Sequence, residues 1–183
     1  AHTHTEHFIY DANGNMLSSE DRNGNTTTFQ YDELNRLIQS NDANNSEAFT
    51  TYDNVGNVAT VTDRNGNLTG WTYDVLDRVK TSIDAFGEIT AWNYDEEGNL
   101  TSVTDRRQKT TSYVYDDLNR MTTVENPNQD FMYLTYDDNG NLKSTTDWNG
   151  NVTTYTYDEL NRRTEVLDAL NGNVVTDYDA IGN

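Results

Sequence analysis

The chain has 183 residues, 31 Asp and Glu against 12 Lys and Arg, a formal net charge of -19, 33% hydrophobic residues and a mean hydropathy of -0.91. So acidic a surface repels polyphosphates at long range, which argues against DNA, RNA and heparin-like polyanions as partners. The lack of cysteine removes disulfides, thiol catalysis and thiolate metal sites; no apolar run is long enough for a membrane span, and nothing near the start reads as an export signal. For an exported parent protein the address is expected outside this stretch, which reads as a slice of a longer polypeptide. Low hydropathy with high charge is the composition of a disordered chain, but aromatic residues reach 11% and most fall in phase with a repeat.

That repeat is a Tyr-Asp pair with an unvarying period of 21 residues: Tyr10-Asp11, Tyr31-Asp32, Tyr52-Asp53, Tyr73-Asp74, Tyr94-Asp95, Tyr115-Asp116, Tyr136-Asp137, Tyr157-Asp158 and Tyr178-Asp179. Fixed self-similarity of this kind marks a stacked repeat, in which one supersecondary unit is copied because it cannot bury its apolar face alone. The whole of 1–183 therefore reads as one array.

Along the chain, turn sequences alternate with short strands. Asp21-Arg22-Asn23-Gly24, Asp63-Arg64-Asn65-Gly66 and Asp147-Trp148-Asn149-Gly150 each contain Asn-Gly, which tolerates positive φ at both centres of a tight two-residue turn. Between them, Thr90-Ala91-Trp92-Asn93-Tyr94-Asp95 and Leu100-Thr101-Ser102-Val103-Thr104-Asp105 flank a Gly-Asn turn and read as a β-hairpin. Each repeat thus holds two strands and two turns. The aromatic residue two before the repeat Tyr, as in Phe29 and Tyr31, Trp71 and Tyr73, Trp92 and Tyr94 or Tyr155 and Tyr157, shares its face, which predicts a two-rung aromatic stripe packing across strands into a thin, Tyr-rich core. A longer period of 42 residues is superimposed. Alternate Tyr-Asp turns carry Gly14, Gly56, Gly98, Gly140 and Gly182; the others carry Leu34 with Arg36, Leu76 with Arg78, Leu118 with Arg120 and Leu160 with Arg162. The first kind calls for backbone freedom, the second for a buried Leu and an Arg paired with a nearby Asp. The expected fold is all-β: tandem hairpins in an antiparallel sheet that, being wide, curls into a spiral, shell or tube.

The Tyr-Asp-x-x-Gly-Asn and Tyr-Asp-x-Leu-Asn-Arg motifs, joined by Thr-Asp-x-Asn-Gly, resemble those of the Rhs/YD-repeat family over essentially the whole chain. The resemblance implies β-hairpins coiled into a hollow shell, which in bacterial polymorphic toxins and toxin complexes encloses a C-terminal toxic domain and in teneurins serves cell-cell contact. It implies a structural, non-enzymatic role at an extracellular or cell-surface location in bacteria. Partners would be the remainder of a larger YD-repeat protein, another copy of the chain, an enclosed toxin domain, or glycans if the array is an adhesion module. No stretch matches the family's closing segment with its self-cleaving aspartates, and the uniform spacing favours an open superhelix or fibre.

Candidate sites are few. The Asp of each Tyr-Asp pair reads as a turn former accepting backbone N–H bonds, not as a catalytic carboxylate. No cofactor is indicated; Asp21, Asp63, Asp105 and Asp147, with adjacent Asn, offer weak calcium binding but lack the spaced ligands and terminal Glu of an EF-hand. His2, His4 and His7 alternate as an extended chelating end would, and read more simply as a ragged or tag-like terminus. With every histidine at one end, no Ser-His-Asp arrangement is available. Glu125-Asn126-Pro127-Asn128-Gln129-Asp130 is the conspicuous irregularity, Asn126 standing where Asp is usual, and is read as a Pro-containing turn variant. Trp148 fills a turn position held by Arg22, Arg64 and Arg106 elsewhere, which marks it as a solvent-facing contact for a ligand or a subunit, whereas Trp71 and Trp92 belong to the packed stripe.

Overall fold

A computed structural model describes residues 5–170, 172–179 and 182. Within it the chain divides into two compact units, residues 1–91 and 92–183. The first contains β1 (His7–Tyr10), β2 (Met16–Glu20), β3 (Thr26–Tyr31), β4 (Leu37–Asn41), β5 (Glu47–Tyr52), β6 (Val58–Thr62), β7 (Leu68–Tyr73), β8 (Val79–Ile83) and the start of β9 (Ile89–Tyr94). The second contains β10 (Leu100–Thr104), β11 (Thr110–Tyr115), β12 (Met121–Glu125), β13 (Phe131–Tyr136), β14 (Leu142–Thr146), β15 (Val152–Tyr157), β16 (Arg163–Leu167) and β17 (Asn173–Val175). Each unit is an antiparallel meander in which every strand pairs with its neighbours in sequence, and among the described residues there is no helix. The all-β hairpin array expected from the sequence is the fold.

The register explains why the period is odd. In hairpins closed by turns such as Asp21–Asn25 the strands pair evenly, Ser18 with Thr28, Ser19 with Thr27 and Glu20 with Thr26. In the Tyr-Asp hairpins the pairing slips: Ile9 faces Ser18 but Tyr10 faces Met16, so Leu17 is an extra residue, a β-bulge repeated in β3–β4, β5–β6, β7–β8, β11–β12, β13–β14 and β15–β16. Phe8 faces Ser19, which faces Thr27, while the counterpart of Phe8 one period later is Phe29. This offset of two residues leaves Phe8 and Phe29 on the same face. Without the bulge the offset would be one residue, and each repeat would turn its side chains to the opposite side.

Burial follows that alternation. In β3, β5, β13 and β15 exposed and half-buried residues alternate strictly, with Thr27, Phe29 and Tyr31 on the half-buried face of β3. The opposite face carries cross-strand polar pairs, Thr51 to Thr60 and Thr72 to Thr81 at 2.6 Å between hydroxyls and Thr135 to Ser144 at 2.7 Å. The core is thinner than the aromatic stripe suggested: among the described residues Val124, 9% exposed between Tyr113 and Met132 on the neighbouring strands, is the single buried hydrophobic side chain. Backbone ladders and turn chemistry must supply much of what hydrophobic burial supplies elsewhere.

Candidate functional site

The recurrent feature with the most chemistry is the turn. In each turn whose five residues are all described, the N–H of the first residue donates to the carbonyl of the fifth and the N–H of the fourth donates back to the carbonyl of the first: Asp53 to Asn57 at 2.9 Å with Gly56 to Asp53 at 3.3 Å, and Asp116 to Arg120 with Asn119 to Asp116, both 2.9 Å. Among the described residues the fourth of each turn has positive φ. It is Gly in one set (Gly14 90°, Gly56 107°, Gly140 88°) and Asn, Asp or Gln in the other (Asn35 60°, Asp77 60°, Gln108 60°, Asn119 59°). This is the three-residue loop with a left-handed closing residue. The expected two-residue Asn-Gly turn is thereby corrected: in Asp21–Asn25 only Gly24 takes positive φ, and Ser19 pairs with Thr27 where centring on Asn23-Gly24 would set it opposite Thr28. The longer loop wins because the Asp side chain fits it.

In Asp53, Oδ1 accepts the N–H of Val55 at 3.0 Å and of Asn57 at 2.9 Å, and Oδ2 accepts the Asn57 amide at 3.2 Å. Asp116 does the same with Leu118 and Arg120, both 3.0 Å, and holds the Arg120 guanidinium through Nε at 2.8 Å and Nη2 at 2.6 Å. These donors hold the carboxyls of Asp11, Asp21, Asp32, Asp63, Asp116 and Asp137 below their ordinary range, the fifth residue's side chain contributing most. The Pro-containing turn keeps the plan with the roles exchanged: Asn126 Oδ1 accepts from Asn128 at 2.9 Å and Asp130 at 3.0 Å, while its amide donates to the Asp130 carboxylate at 3.0 Å. Carboxylate oxygens so committed form turns; among the described residues no group of three or more His, Asp or Glu is gathered to hold a metal ion.

In seven of the pairs the Tyr ties one hairpin to the one before it. Tyr31 donates its hydroxyl to the Met16 carbonyl at 3.1 Å, Tyr52 to Leu37 at 2.9 Å, Tyr73 to Val58 at 2.9 Å, Tyr115 to Leu100 at 3.0 Å, Tyr136 to Met121 at 2.8 Å, Tyr157 to Leu142 at 3.0 Å and Tyr178 to Arg163 at 3.0 Å. Every acceptor opens the strand just beyond a turn and lies 15 residues upstream. Besides these carbonyls, Tyr52, Tyr136 and Tyr178 each meet a guanidinium group over the ring.

The 42-residue alternation has a matching physical cause. Going from a Gly turn to the next Leu-Arg turn, the Asn amide reaches across: Asn15 to Asn35 at 2.7 Å, and Asn57 to Asp77, Asn99 to Asn119 and Asn141 to Asn161 at 2.8 Å. Going from a Leu-Arg turn to the next Gly turn, the guanidinium lies over the Tyr ring: Arg36 over Tyr52 at 4.3 Å, Arg120 over Tyr136 and Arg162 over Tyr178 at 4.4 Å. The glycines sit beneath these arginines, where an added Cβ on Gly56 or Gly140 would come no nearer than 3.7 Å. The Arg-to-Asp pairing expected from the sequence is present, at 2.6 Å in Arg36–Asp32 and Arg162–Asp158. The expected burial of Leu is corrected: Leu34, Leu118 and Leu160 are 71% exposed at the turn tips, where the backbone N–H rather than the side chain is used.

On the opposite row of turns Arg22 pairs with Glu6 at 3.2 Å and Arg64 with Asp42 at 3.5 Å. Trp148 stands in the same slot, 37% exposed. Trp71 and Trp92 are half-buried on the face that carries the repeat tyrosines. His7 lies 3.1 Å from the Thr5 hydroxyl, while His2 and His4 lie outside the described residues.

A tandem β-hairpin protein built on Asp-closed turns and recurring Tyr latches is the class these features define. The RHS Repeat family matches residues 10–47, 52–90, 94–130 and 136–173, and the chain belongs to that family. Among solved structures it superimposes on "TcdB2-TccC3 without hypervariable C-terminal region" with a TM-score of 0.53 at 16% identity, covering 96% of this chain and 12% of that one. On the Tc holotoxin pore of Photorhabdus luminescens, in a form carrying a TccC3 mutation, the TM-score is 0.54 at 18% identity, with 94% and 9% covered. The likeness is one of fold, and the chain spans about a tenth of the length of those chains. No curated protein matches it.

Proposed function

We propose that this segment is a non-enzymatic wall element of a larger, extracellular YD-repeat protein of bacterial origin, and that the wall encloses a toxin domain. The observation that carries the reading is the repetition of one latch: hydroxyl to carbonyl from hairpin to hairpin, interleaved with Asn-amide and Arg-over-Tyr contacts. Such a lattice commits its polar groups to holding neighbouring hairpins in place. Carboxylates bound to two backbone N–H groups and a side chain are poor proton carriers, which supports a structural over a catalytic role. Family membership and the fold shared with Tc toxin chains support the wall reading, and the uniform 21-residue spacing keeps an open fibre as the competing geometry. Electron cryomicroscopy of the longest natural polypeptide containing this segment tests it. A closed wall around a separate part of the chain is the predicted result; an open, continuing array would refute the enclosure.

A further inference from the structure

Asn-Gly closes the turns at Asn13, Asn23, Asn65, Asn139 and Asn149, and all of these asparagines are exposed. Asn followed by Gly is prone to modify itself, because a residue without Cβ leaves its backbone nitrogen open to the Asn amide carbon. To attack, that nitrogen must give up its proton and leave its hydrogen bond, and in these turns the N–H is held. Gly14 donates to the Asp11 carbonyl at 3.2 Å, Gly24 to Asp21 at 3.0 Å, Gly66 to Asp63 at 2.9 Å, and Gly140 to Asp137 and Gly150 to Asp147 at 3.0 Å. Reaction therefore waits on local opening, and its rate ranks the turns by how firmly each is tied to its surroundings.

The turns at Asn65 and Asn149 are matched internally. Asp63 Oδ1 accepts the N–H of Asn65 at 2.8 Å and of Asn67 at 2.9 Å, with the Asn67 amide on Oδ2 at 2.8 Å. Asp147 does the same with Asn149 at 2.9 Å and Asn151 at 2.8 Å, and with the Asn151 amide at 2.8 Å. They differ in the tie to the turn before. Arg64 reaches back to Asp42, the first residue of that turn, at 3.5 Å, and Arg22 likewise reaches Glu6 at 3.2 Å. Trp148 stands where Arg64 does and Asn126 where Asp42 does, so both charges of the bridge are replaced by neutral groups. In the Tyr-Asp row the hold is stronger: Asn13 donates its own amide to Asn35 at 3.1 Å, and Asn141 ties the Asn139 turn to Asn161 at 2.8 Å.

We propose that Asn149-Gly150 is a self-modification site of the folded array, where opening of the turn releases the Gly150 nitrogen to attack the Asn149 side-chain amide. The N–H proton goes to hydroxide, a new N–Cγ bond closes a succinimide ring, and the bond from Cγ to the amide nitrogen breaks, that nitrogen leaving as ammonia after taking a proton from water. Water then adds to one of the two ring carbonyls and breaks the ring C–N bond there, giving an aspartyl or an isoaspartyl residue. No oxidant, reductant or cofactor takes part. Either product adds a negative charge to a surface already at -19. The isoaspartyl form also inserts a further carbon into the main chain of a loop whose length sets the strand register.

The site is independent of the enclosure reading and is tested on the chain itself. The folded chain is aged at mildly alkaline pH and each Asn-Gly peptide is quantified by mass spectrometry, while the same chain unfolded in urea supplies the intrinsic rate at every site. A surface ion pair shifts a local equilibrium by up to about fivefold, so after this normalisation Asn149 should react about two to five times faster than Asn65, and faster again than Asn13 and Asn139. An Asn126→Asp/Trp148→Arg variant, which places the Asp42 and Arg64 pair in the equivalent slots, should slow Asn149 to the rate of Asn65. Arg64→Ala should raise Asn65 toward Asn149. The order within the wild type depends on no variant folding. Folded Asn149 reacting no faster than Asn65 overturns the proposal and would mean that the Trp148 indole, 37% exposed, holds the turn shut by packing. Ageing that leaves Asn149 intact in the folded chain, or equal Asn149 rates in the wild type and the double variant, also overturns it.

Discussion

Replacing Tyr52 by Phe removes one atom and keeps the ring under Arg36, so it isolates the hydroxyl bond to the Leu37 carbonyl at 2.9 Å. A net protein hydrogen bond contributes about 0.5–1.5 kcal/mol, and an acceptor left short of a partner moves the loss toward the upper end, so about 1 kcal/mol is expected. Tyr31, Tyr73 and Tyr157 make equivalent bonds to other hairpins at 3.1, 2.9 and 3.0 Å. Non-adjacent sites add to within a few tenths of a kcal/mol, so a Tyr31→Phe/Tyr73→Phe/Tyr157→Phe variant should lose about 3 kcal/mol. Urea denaturation followed by far-ultraviolet circular dichroism measures this, with the midpoint falling at an unchanged m-value. If the triple variant unfolds at the wild-type midpoint, the hydroxyl latch is not what couples the hairpins.

Three further outcomes follow from the same geometry. Gly14→Ala should cost about 1 kcal/mol although an added Cβ would meet nothing within 4 Å, because φ is 90°, while Gln108→Gly at φ 60° should stabilise by a few tenths of a kcal/mol or more; thermal melts of both variants decide it. A double-mutant cycle on Arg120 and Tyr136, whose guanidinium and ring lie 4.4 Å apart, should give a coupling of about 0.5–1 kcal/mol, and a value near zero would mean that the stack is incidental. The carboxyls of Asp11, Asp21, Asp32, Asp63, Asp116 and Asp137 titrate below their ordinary range when folded, so their contribution is complete above the unfolded value near pH ~4 and is lost as pH falls through the lower folded values. Melting temperature should therefore drop between about pH 5 and pH 2 in ~1 M salt, where repulsion among the excess acids is screened; a rise over that interval would contradict the role given to the Asp side chains.

Much of this was legible from spacing. Tyr and Asp in phase locate every Tyr-Asp hairpin, and the alternation of Gly56 with Arg78 or Gly140 with Arg162 announces two turn environments before either is seen. The turn register was not legible, since Asn23-Gly24 suits both a two-residue turn and the closing position of a longer one; what decides is Asp21, whose Oδ1 reaches the N–H groups of Asn23 at 2.8 Å and Asn25 at 2.9 Å only in the latter. The hydroxyl latch escaped because it joins residues 15 apart across a bulge that no residue type marks. Leu34 read as buried because an apolar residue in a repeated turn suggests a core; its place at a tip follows from the register and could not be read before it.

Register is accordingly where the account is most directly tested. Cross-strand nuclear Overhauser contacts across the turn at Asp21–Asn25 should pair Ser19 with Thr27, and those across the bulge should pair Ile9 with Ser18 while Tyr10 meets Met16. Contacts of Ser19 with Thr28, or an unslipped Tyr-Asp hairpin, would turn the side chains to opposite faces and contradict the bulged, Tyr-latched array described here.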